Sequence, residues 1–449
     1  MINFNKEREI VILYTCGICN LNCRYCTIDK NPALKDIDDE LAKSFEGDYY
    51  FNRIKEYFPR LDQLKSVETW GGEPFLHMER AIPLIHKLIG HYPYFKQMHS
   101  STNFAFDGWI DKFMELMDVF AQHPEREFTY YLQLSIDGPE YINDANRGKG
   151  VTKKCIENFD KLIDVIKEGK FPKNVELIMT PKQTWDVDTI HKLDSKEKVI
   201  EYYKFYETAY MSKVFALNND KIKIICTVPN MAMPSPITQA DGKHFAELMR
   251  MCREIERENR VYKYFDYYEL ITPFSGKSCA TCRTFTGDTA RCGTGRQMVG
   301  FLPYNMISAC HEGFTLLVDK YKDYAAKRSD ENLLVNLNKF FELTPTPMCL
   351  TDDEYALHER HMEYLNADRP VQMTTATIQI MSLAMAGLIE PEYLDEERAL
   401  FAAKQVLTNG CFCIKVNYAM LGTFYMEPND LYVLLLNGAL KYLVTEDAK

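Results

Sequence analysis

Six short β-rich runs in series, separated by stretches with helical apolar spacing, limit what this chain can fold into. The runs are "EIVILYT" (9–15), "SVETW" (66–70), "MHSSTNF" (98–104), "TYYLQLSID" (129–137), "NVELIMT" (174–180) and "KIKIICTV" (221–228). Between them lie segments such as "ERAIPLIHKLIGHY" and "TKKCIENFDKLIDVIKEG", where apolar residues recur at intervals of three and four. Strand–helix units in series predict an α/β fold, a parallel sheet with crossover helices. The runs are mostly apolar, which predicts strands covered on both faces. In barrel folds of this kind, functional residues gather at the carboxyl ends of the strands.

The pattern changes after about Pro229. "VPNMAMPSPITQADG" is a Pro-rich connection, and the charged, helix-like "KHFAELMRMCREIERENR" follows it. From Ser278 to Cys310 the chain is rich in Cys, Gly and Thr, and from about residue 351 it reads as helical again. A chain of 449 residues is too long for one ordinary core. The expected division is a parallel-sheet domain over 1–230, a connecting segment with a helix over 231–275, a small Cys-rich domain over 276–350 and a helical C-terminal region over 351–449.

Composition narrows the function classes. The formal net charge is -11 and no dense Lys/Arg stripe is present. No nucleic-acid partner is expected, because phosphate neutralisation needs clustered cations. The longest weakly polar run, Ala376 to Ile389, is too short to span a bilayer. The opening "MINFNKEREI" lacks an apolar signal core. No membrane partner is expected, and the protein is expected to be cytoplasmic. In that compartment 14 cysteines are a poor disulfide framework, and metal binding is the better reading of the clustered ones.

Four cysteines fall within "YTCGICNLNCRYCTID" (Tyr14 to Asp29), directly after the first β-rich run. Cys19, Cys23 and Cys26 are spaced C-x3-C-x2-C. Three thiolates on a tight loop suit three corners of a [4Fe–4S] cluster, with the fourth iron left to bind a small molecule. Zinc prefers four ligands in a closed site. Cys16 can complete such a set, so a closed ferredoxin-like site or zinc stays open on spacing alone.

This motif, with Tyr25 as the aromatic just before its last cysteine, resembles the cluster loop of the radical S-adenosylmethionine (SAM) superfamily. Further matches come in that family's order. "GGEP" (Gly71, Gly72, Glu73, Pro74) follows the second run and "STN" (Ser101, Thr102, Asn103) ends the third. "SIDGP" (Ser135 to Pro139, with Asp137 at its centre) and then "NRG" with Arg147 follow the fourth. The resemblance covers residues 9–230. It implies a partial (β/α)6 TIM-like barrel that binds SAM beside a [4Fe-4S] cluster, with the SAM amino group held at GGEP and its ribose and carboxylate near a Ser and an Arg. The chemistry of the residues agrees. Glycines allow close backbone approach, Glu73 can complement an ammonium, and Arg147 can hold a carboxylate bidentately. The resemblance also implies an electron donor such as flavodoxin or ferredoxin.

A second cysteine group stands in "CATCRTFTGDTARCGTGRQMVGFLPYNMISACHEGF", with Cys279, Cys282, Cys292 and Cys310. Cys292 and Cys310 bracket C-x12-N-x4-C, with Asn305 at the turn. The spacing resembles the opening of the SPASM and twitch extensions of radical SAM enzymes, which carry Gly there. Asn is the non-glycine residue that best tolerates a left-handed turn. The C-x2-C-x5-C-x3-C run that continues the SPASM pattern is missing, and only Cys349, Cys411 and Cys413 lie beyond Cys310. The resemblance therefore implies one auxiliary [4Fe-4S] cluster in a twitch-like or truncated SPASM domain. Its ligands would be Cys279, Cys282, Cys292 and Cys310, with Cys349 able to replace one. The same CxxC spacing also suits zinc, which stays open. His311 and Glu312 are the candidates for proton transfer near a substrate. Cys155, Cys226 and Cys252 read as core residues.

SPASM and twitch relatives include sulfatase-activating enzymes and peptide-modifying maturases, while others dehydrogenate small molecules. By that analogy the chain is expected to abstract a hydrogen from a peptide or protein, with small-molecule chemistry as the alternative. A non-radical iron–sulfur or zinc protein is the third expectation. The helical C-terminal region is expected to support substrate binding.

Overall fold

The computed structural model describes residues 9–26, 38–225, 230–231, 244, 248, 251–252, 254–255, 258, 298–301 and 307–308. Ten strands lie among them. β1 (Ile10–Cys16), β2 (Ser66–Gly71), β3 (Gln97–Thr102), β4 (Phe128–Ser135) and β5 (Val175–Lys182) are full-length strands. β6 (Thr184–Trp185), β7 (Ile222–Ile224), β8 (Asn230–Met231), β9 (Met298–Phe301) and β10 (Ile307–Ser308) are shorter. The described residues divide into two compact units.

The first unit is built on an eight-stranded sheet in the order β10-β9-β1-β2-β3-β4-β5-β7. Seven of these strands are parallel, and β10 alone runs antiparallel, against β9. Five of the six runs expected from sequence are strands to within two residues. Two expectations are corrected. Among the described residues of the sixth run, Ile222–Ile224 are strand and Ile225 is not, and the sheet gains a seventh parallel strand, β9, from beyond residue 290. The result is a parallel α/β sheet with crossover helices, the arrangement of a partial TIM-like barrel.

The helices follow the expected spacing. They are α1 (Asp38–Ser44), α2 (Tyr49–Tyr57), α3 (Met78–His91), α4 (Trp109–Ala121), α5 (Glu140–Arg147) and α6 (Val151–Lys167). In α6, Cys155, Phe159, Leu162, Ile163 and Ile166 fall on one stripe, and all five are buried. The many aromatic residues form a layer beneath the sheet. Trp109 and Phe113 of α4 stack with ring centres 5.1 Å apart, and Tyr130 of β4 meets Phe113 edge-on at 5.5 Å.

The strands are not apolar on both faces, which corrects the third expectation. Tyr130, Leu132 and Leu134 of β4 are fully buried, as are Leu177 and Met179 of β5. Their neighbours Tyr131, Gln133 and Ser135, with Ile178, Thr180 and Lys182 in register, are only half-buried and mostly polar. His99 and Ser101 of β3 and Glu68 and Trp70 of β2 extend that polar face. One covered face and one polar face is the pattern of a sheet that leaves room for a ligand.

The second unit contains β6 paired in parallel with β8, and α7 (Val187–Lys192). Asp186 caps α7 by accepting from the Thr189 amide at 2.9 Å. Trp185 is buried and donates from Nε1 to the Tyr202 hydroxyl at 2.9 Å. Among the described residues, no helix is long and apolar enough to cross a membrane.

Candidate functional site

The cysteine loop leaves β1 and is tied down before its first cluster-type cysteine. The Gly17 amide donates to Asp38 Oδ1 at 2.8 Å. Arg80 holds that carboxylate with both terminal nitrogens, at 3.1 and 2.9 Å, and also donates to the Thr15 carbonyl. Burial works against the Asp38 carboxylate, but Arg80 and the Gly17 amide outweigh it and keep its pKa below the usual value.

GGEP meets this loop backbone to backbone. The Gly72 amide donates to the Cys16 carbonyl at 3.2 Å, and the Glu73 amide donates to the Ile18 carbonyl at 2.9 Å. A β-carbon on Gly71 would stand 2.4 Å from the Cys16 carbonyl oxygen, and Gly71 has a φ of +148°. The two glycines let the end of β2 and the cysteine loop approach each other this closely.

Hydrogen-bond direction separates the cysteines. Cys16 Sγ faces two carbonyls, those of Glu73 at 3.0 Å and Ile18 at 3.4 Å, to which a thiol can donate and from which a thiolate would be repelled. Cys19 Sγ instead accepts from the Leu21 amide and from Asn103 Nδ2, both at 3.4 Å, as a thiolate would, and the acceptor beside it, Asn20 Oδ1, is farther away at 4.0 Å. Burial pushes both thiols up to about 12. Ligation by Cys19 therefore depends on the field of a bound cation, which deprotonates a coordinating thiol. Cys23 is buried, and Cys26 is half-buried with its amide on the Cys23 carbonyl at 3.0 Å.

Glu73 is wholly buried and joins the ends of β2 and β3. Its oxygens accept from the Phe75 amide at 3.1 Å, the Thr102 hydroxyl at 2.7 Å and the Asn103 amide at 2.6 Å. Pro74 opens the 3-10 turn that follows, Pro74–His77. The Thr102 oxygen in turn accepts from Trp109 Nε1 and from the Phe104 amide. Phe104 has a φ of +36°, a strained value for an aromatic residue, and costs on the order of 1–3 kcal/mol. The strain aims Asn103 at the cysteine loop, where its Nδ2 also reaches Asn20 Oδ1 at 2.8 Å.

The end of β4 clamps the other side of the loop. Asp137 is fully buried and receives Arg147 Nε at 3.1 Å and Nη2 at 3.0 Å. Tyr25 donates its hydroxyl to the same carboxylate at 2.6 Å, and its ring lies 5.6 Å from the Arg147 guanidinium carbon. Arg147 Nη1 stands 4.0 Å from Cys23 Sγ. Burial disfavours the guanidinium charge, but Asp137 outweighs it and keeps Arg147 firmly protonated. Ser135 sits at the end of β4, opposite Lys182.

The structure thus brings Cys19, Cys23, Tyr25, Gly71, Gly72, Glu73, Thr102, Asn103, Asp137 and Arg147 together in one network at the carboxyl ends of β1 to β4. Among the described residues, no three His, Cys, Asp or Glu side chains stand close enough to hold a single metal ion. A four-iron cluster is larger and takes thiolates from corners spread around it, so the donor set is the relevant test. Three thiols on one loop, with N–H donors turned to Cys19 and a cation beside Cys23, fit such a cluster. Cys155 and Cys252 are buried, as core residues should be. Cys226, Cys279, Cys282, Cys292, Cys310, His311, Glu312, Cys349, Cys411 and Cys413 lie outside the described residues, as does the region 351–449.

Sequence reasoning missed Asp38, Arg80 and Asn146. Asn146 stands beside Arg147 in the quoted motif, and its backbone carbonyl accepts from the Arg24 amide at 2.8 Å. Asp38 and Arg80 carry no local signal at all, since they meet across 42 residues.

No protein-family model matches the chain, and no curated protein sequence matches it. Solved structures of anSMEcpe are similar. The hexahistidine-tagged form with bound AdoMet is 19% identical with a TM-score of 0.36, over 61% of this chain and 68% of that one. The native form with bound AdoMet and Cp18Cys peptide is 17% identical with a TM-score of 0.39, over 68% and 74% respectively.

Proposed function

We propose that this chain is a radical SAM enzyme that abstracts a hydrogen from a peptide or protein substrate. The observation that carries the reading is the fastening of the three-cysteine loop to the ends of three neighbouring strands. GGEP meets it from β2, Asn103 meets Cys19 from β3, and Asp137 and Arg147 meet Tyr25 and Cys23 from β4. Those are the positions at which the sequence resembles the family.

Cys19, Cys23 and Cys26 would hold a [4Fe–4S] cluster, which supplies one electron to SAM. The residues of the chain do the rest. Asn103 and the Leu21 amide stabilise thiolate character on Cys19. Arg147 offsets the negative charge that gathers at Cys23. Glu73 and the strained turn at Phe104 hold the ends of β2 and β3 together beside the cysteine loop.

The peptide substrate, the auxiliary cluster at Cys279, Cys282, Cys292 and Cys310, a flavodoxin or ferredoxin donor and a cytoplasmic location belong to the same proposal and rest on the motif resemblance. A small-molecule substrate is the second reading, favoured by the half-buried polar face that carries His99, Gln133 and Lys182.

Iron and acid-labile sulfide per chain test the cofactor content, with protein purified without oxygen. About eight irons, falling to about four in Cys19/Cys23/Cys26→Ala, support one SAM cluster and one auxiliary cluster. About four falling to none, with zinc retained, would assign the downstream cysteines to zinc instead.

A further inference from the structure

Each polar group of Asn103 already has a direction. Its amide donates to Glu73 Oε2 at 2.6 Å, and its carbonyl accepts from Cys155 Sγ at 3.4 Å. Its Oδ1 accepts from the Ala105 amide at 2.9 Å, which fixes the end of the side chain that carries the nitrogen. Nδ2 therefore faces the cysteine loop, where it donates to Cys19 Sγ at 3.4 Å and to Asn20 Oδ1 at 2.8 Å. Asn20 is oriented in the same way, because its Nδ2 donates to the Ala105 carbonyl at 3.3 Å. Both N–H groups of the Asn103 side chain thus address the loop, and none is left over for SAM.

The surroundings hold that direction against strain. Phe104, the next residue, keeps its φ of +36°. Asn158 of α6 braces the turn by donating to the Phe104 and Phe106 carbonyls at 2.8 and 2.9 Å. Asn103 is only 7% exposed, so water competes little for its contact with Cys19. The Leu21 amide also donates to Cys19 Sγ, but it comes with the loop itself. Asn103 reaches the same sulfur from the end of β3, across 84 residues. A cluster that accepts an electron gains negative charge, and an N–H group aimed at a ligand sulfur favours the more negative state.

We infer that Asn103 is a positioning residue that acts through Cys19: its side-chain amide, held by the turn at Phe104, raises the reduction potential of the cluster on this loop. The inference rests on the cluster reading above. It gives the strained turn a role that joining β2 to β3 does not require, since Glu73 already joins them.

The test is a redox titration followed by electron paramagnetic resonance, on the full-length, cluster-loaded chain without oxygen and without SAM. It is read on the signal that Cys19/Cys23/Cys26→Ala removes. Asn103→Leu keeps the shape of the side chain and removes its N–H groups. The expected result is a midpoint lower by about 59 mV, a tenfold fall in the reduced-to-oxidised ratio at fixed potential, with iron content unchanged. Asn103→Asp keeps the acceptor for the Ala105 amide and should fall at least as far. Cys155→Ala removes only the donor to the Asn103 carbonyl and should match wild type. A midpoint within error of wild type or higher in either Asn103 variant, or an equal fall in Cys155→Ala, would overturn the assignment. Loss of iron from both Asn103 variants with far-UV dichroism retained would make Asn103 a fastener of the loop, and would overturn it too. A wild type that holds no iron, or whose signals all survive Cys19/Cys23/Cys26→Ala, would overturn the cluster reading itself, and the Asn103 assignment with it.

Discussion

A β-carbon on Gly72 would stand 2.1 Å from the Ile18 carbonyl oxygen and 2.9 Å from the Cys19 amide nitrogen. The loop backbone, not a ligand, fills the space that this glycine leaves. The motif was visible in the sequence, but the partner of its glycines was not, because the contact joins segments far apart along the chain. Gly72→Ala should therefore keep the far-UV dichroism of the sheet and lose the iron that Cys19/Cys23/Cys26→Ala loses. Gly90→Ala, where a β-carbon meets nothing within 4 Å, should leave iron unchanged. Glu73 allows a second test at this scale. Burial pushes its carboxyl from 4.5 up to about 7, although three donors pull the other way. With the folded pKa above the unfolded one, the folded state holds the proton longer. Its contribution to stability then falls as pH rises from about 4.5 to about 7, and is flat above. At about 1.36 kcal/mol per pH unit the loss approaches about 3 kcal/mol. In urea titrations, the advantage of wild type over Glu73→Gln should shrink across that window. An advantage that grows with pH would show that the donors outweigh burial.

At the scale of elements, β1, β2, β4 and β5 were legible because each is a compact run rich in β-branched and aromatic residues between turn signals. The polar alternation in "TYYLQLS" was also present, but its tyrosines and leucines gave it the look of a strand covered on both faces. β9 escaped because "MVGF" is only four residues long and lies in a Cys- and Gly-rich stretch. It is nonetheless a structural strand. Val299 and Phe301 lie in register with Val11 and Leu13, and the Phe301 ring meets Tyr50 at 6.2 Å and Tyr57 at 5.7 Å. Phe301 is fully buried, so Phe301→Ala should cost about 3–5 kcal/mol. The expected reading is a lower urea midpoint with an unchanged slope. A midpoint within error of wild type would mean that β9 contributes little to the stability of the β1 edge.

In the molecule as a whole, a parallel sheet carries a three-cysteine loop fastened at the ends of its strands. The order of motifs along the chain carried that architecture into view, because serial strand–helix units bring successive strand ends side by side. What stayed hidden was the division of labour among the charged groups. Sequence alone offered Arg147 to a ligand, and the fold gives it to Asp137. The most direct measurement is the formation of 5′-deoxyadenosine from SAM under dithionite without oxygen, by wild type and by Cys19/Cys23/Cys26→Ala. Product is expected from the wild type and none from the variant. Absence of product from wild type with its iron intact, or equal product from both proteins, would contradict the radical SAM reading.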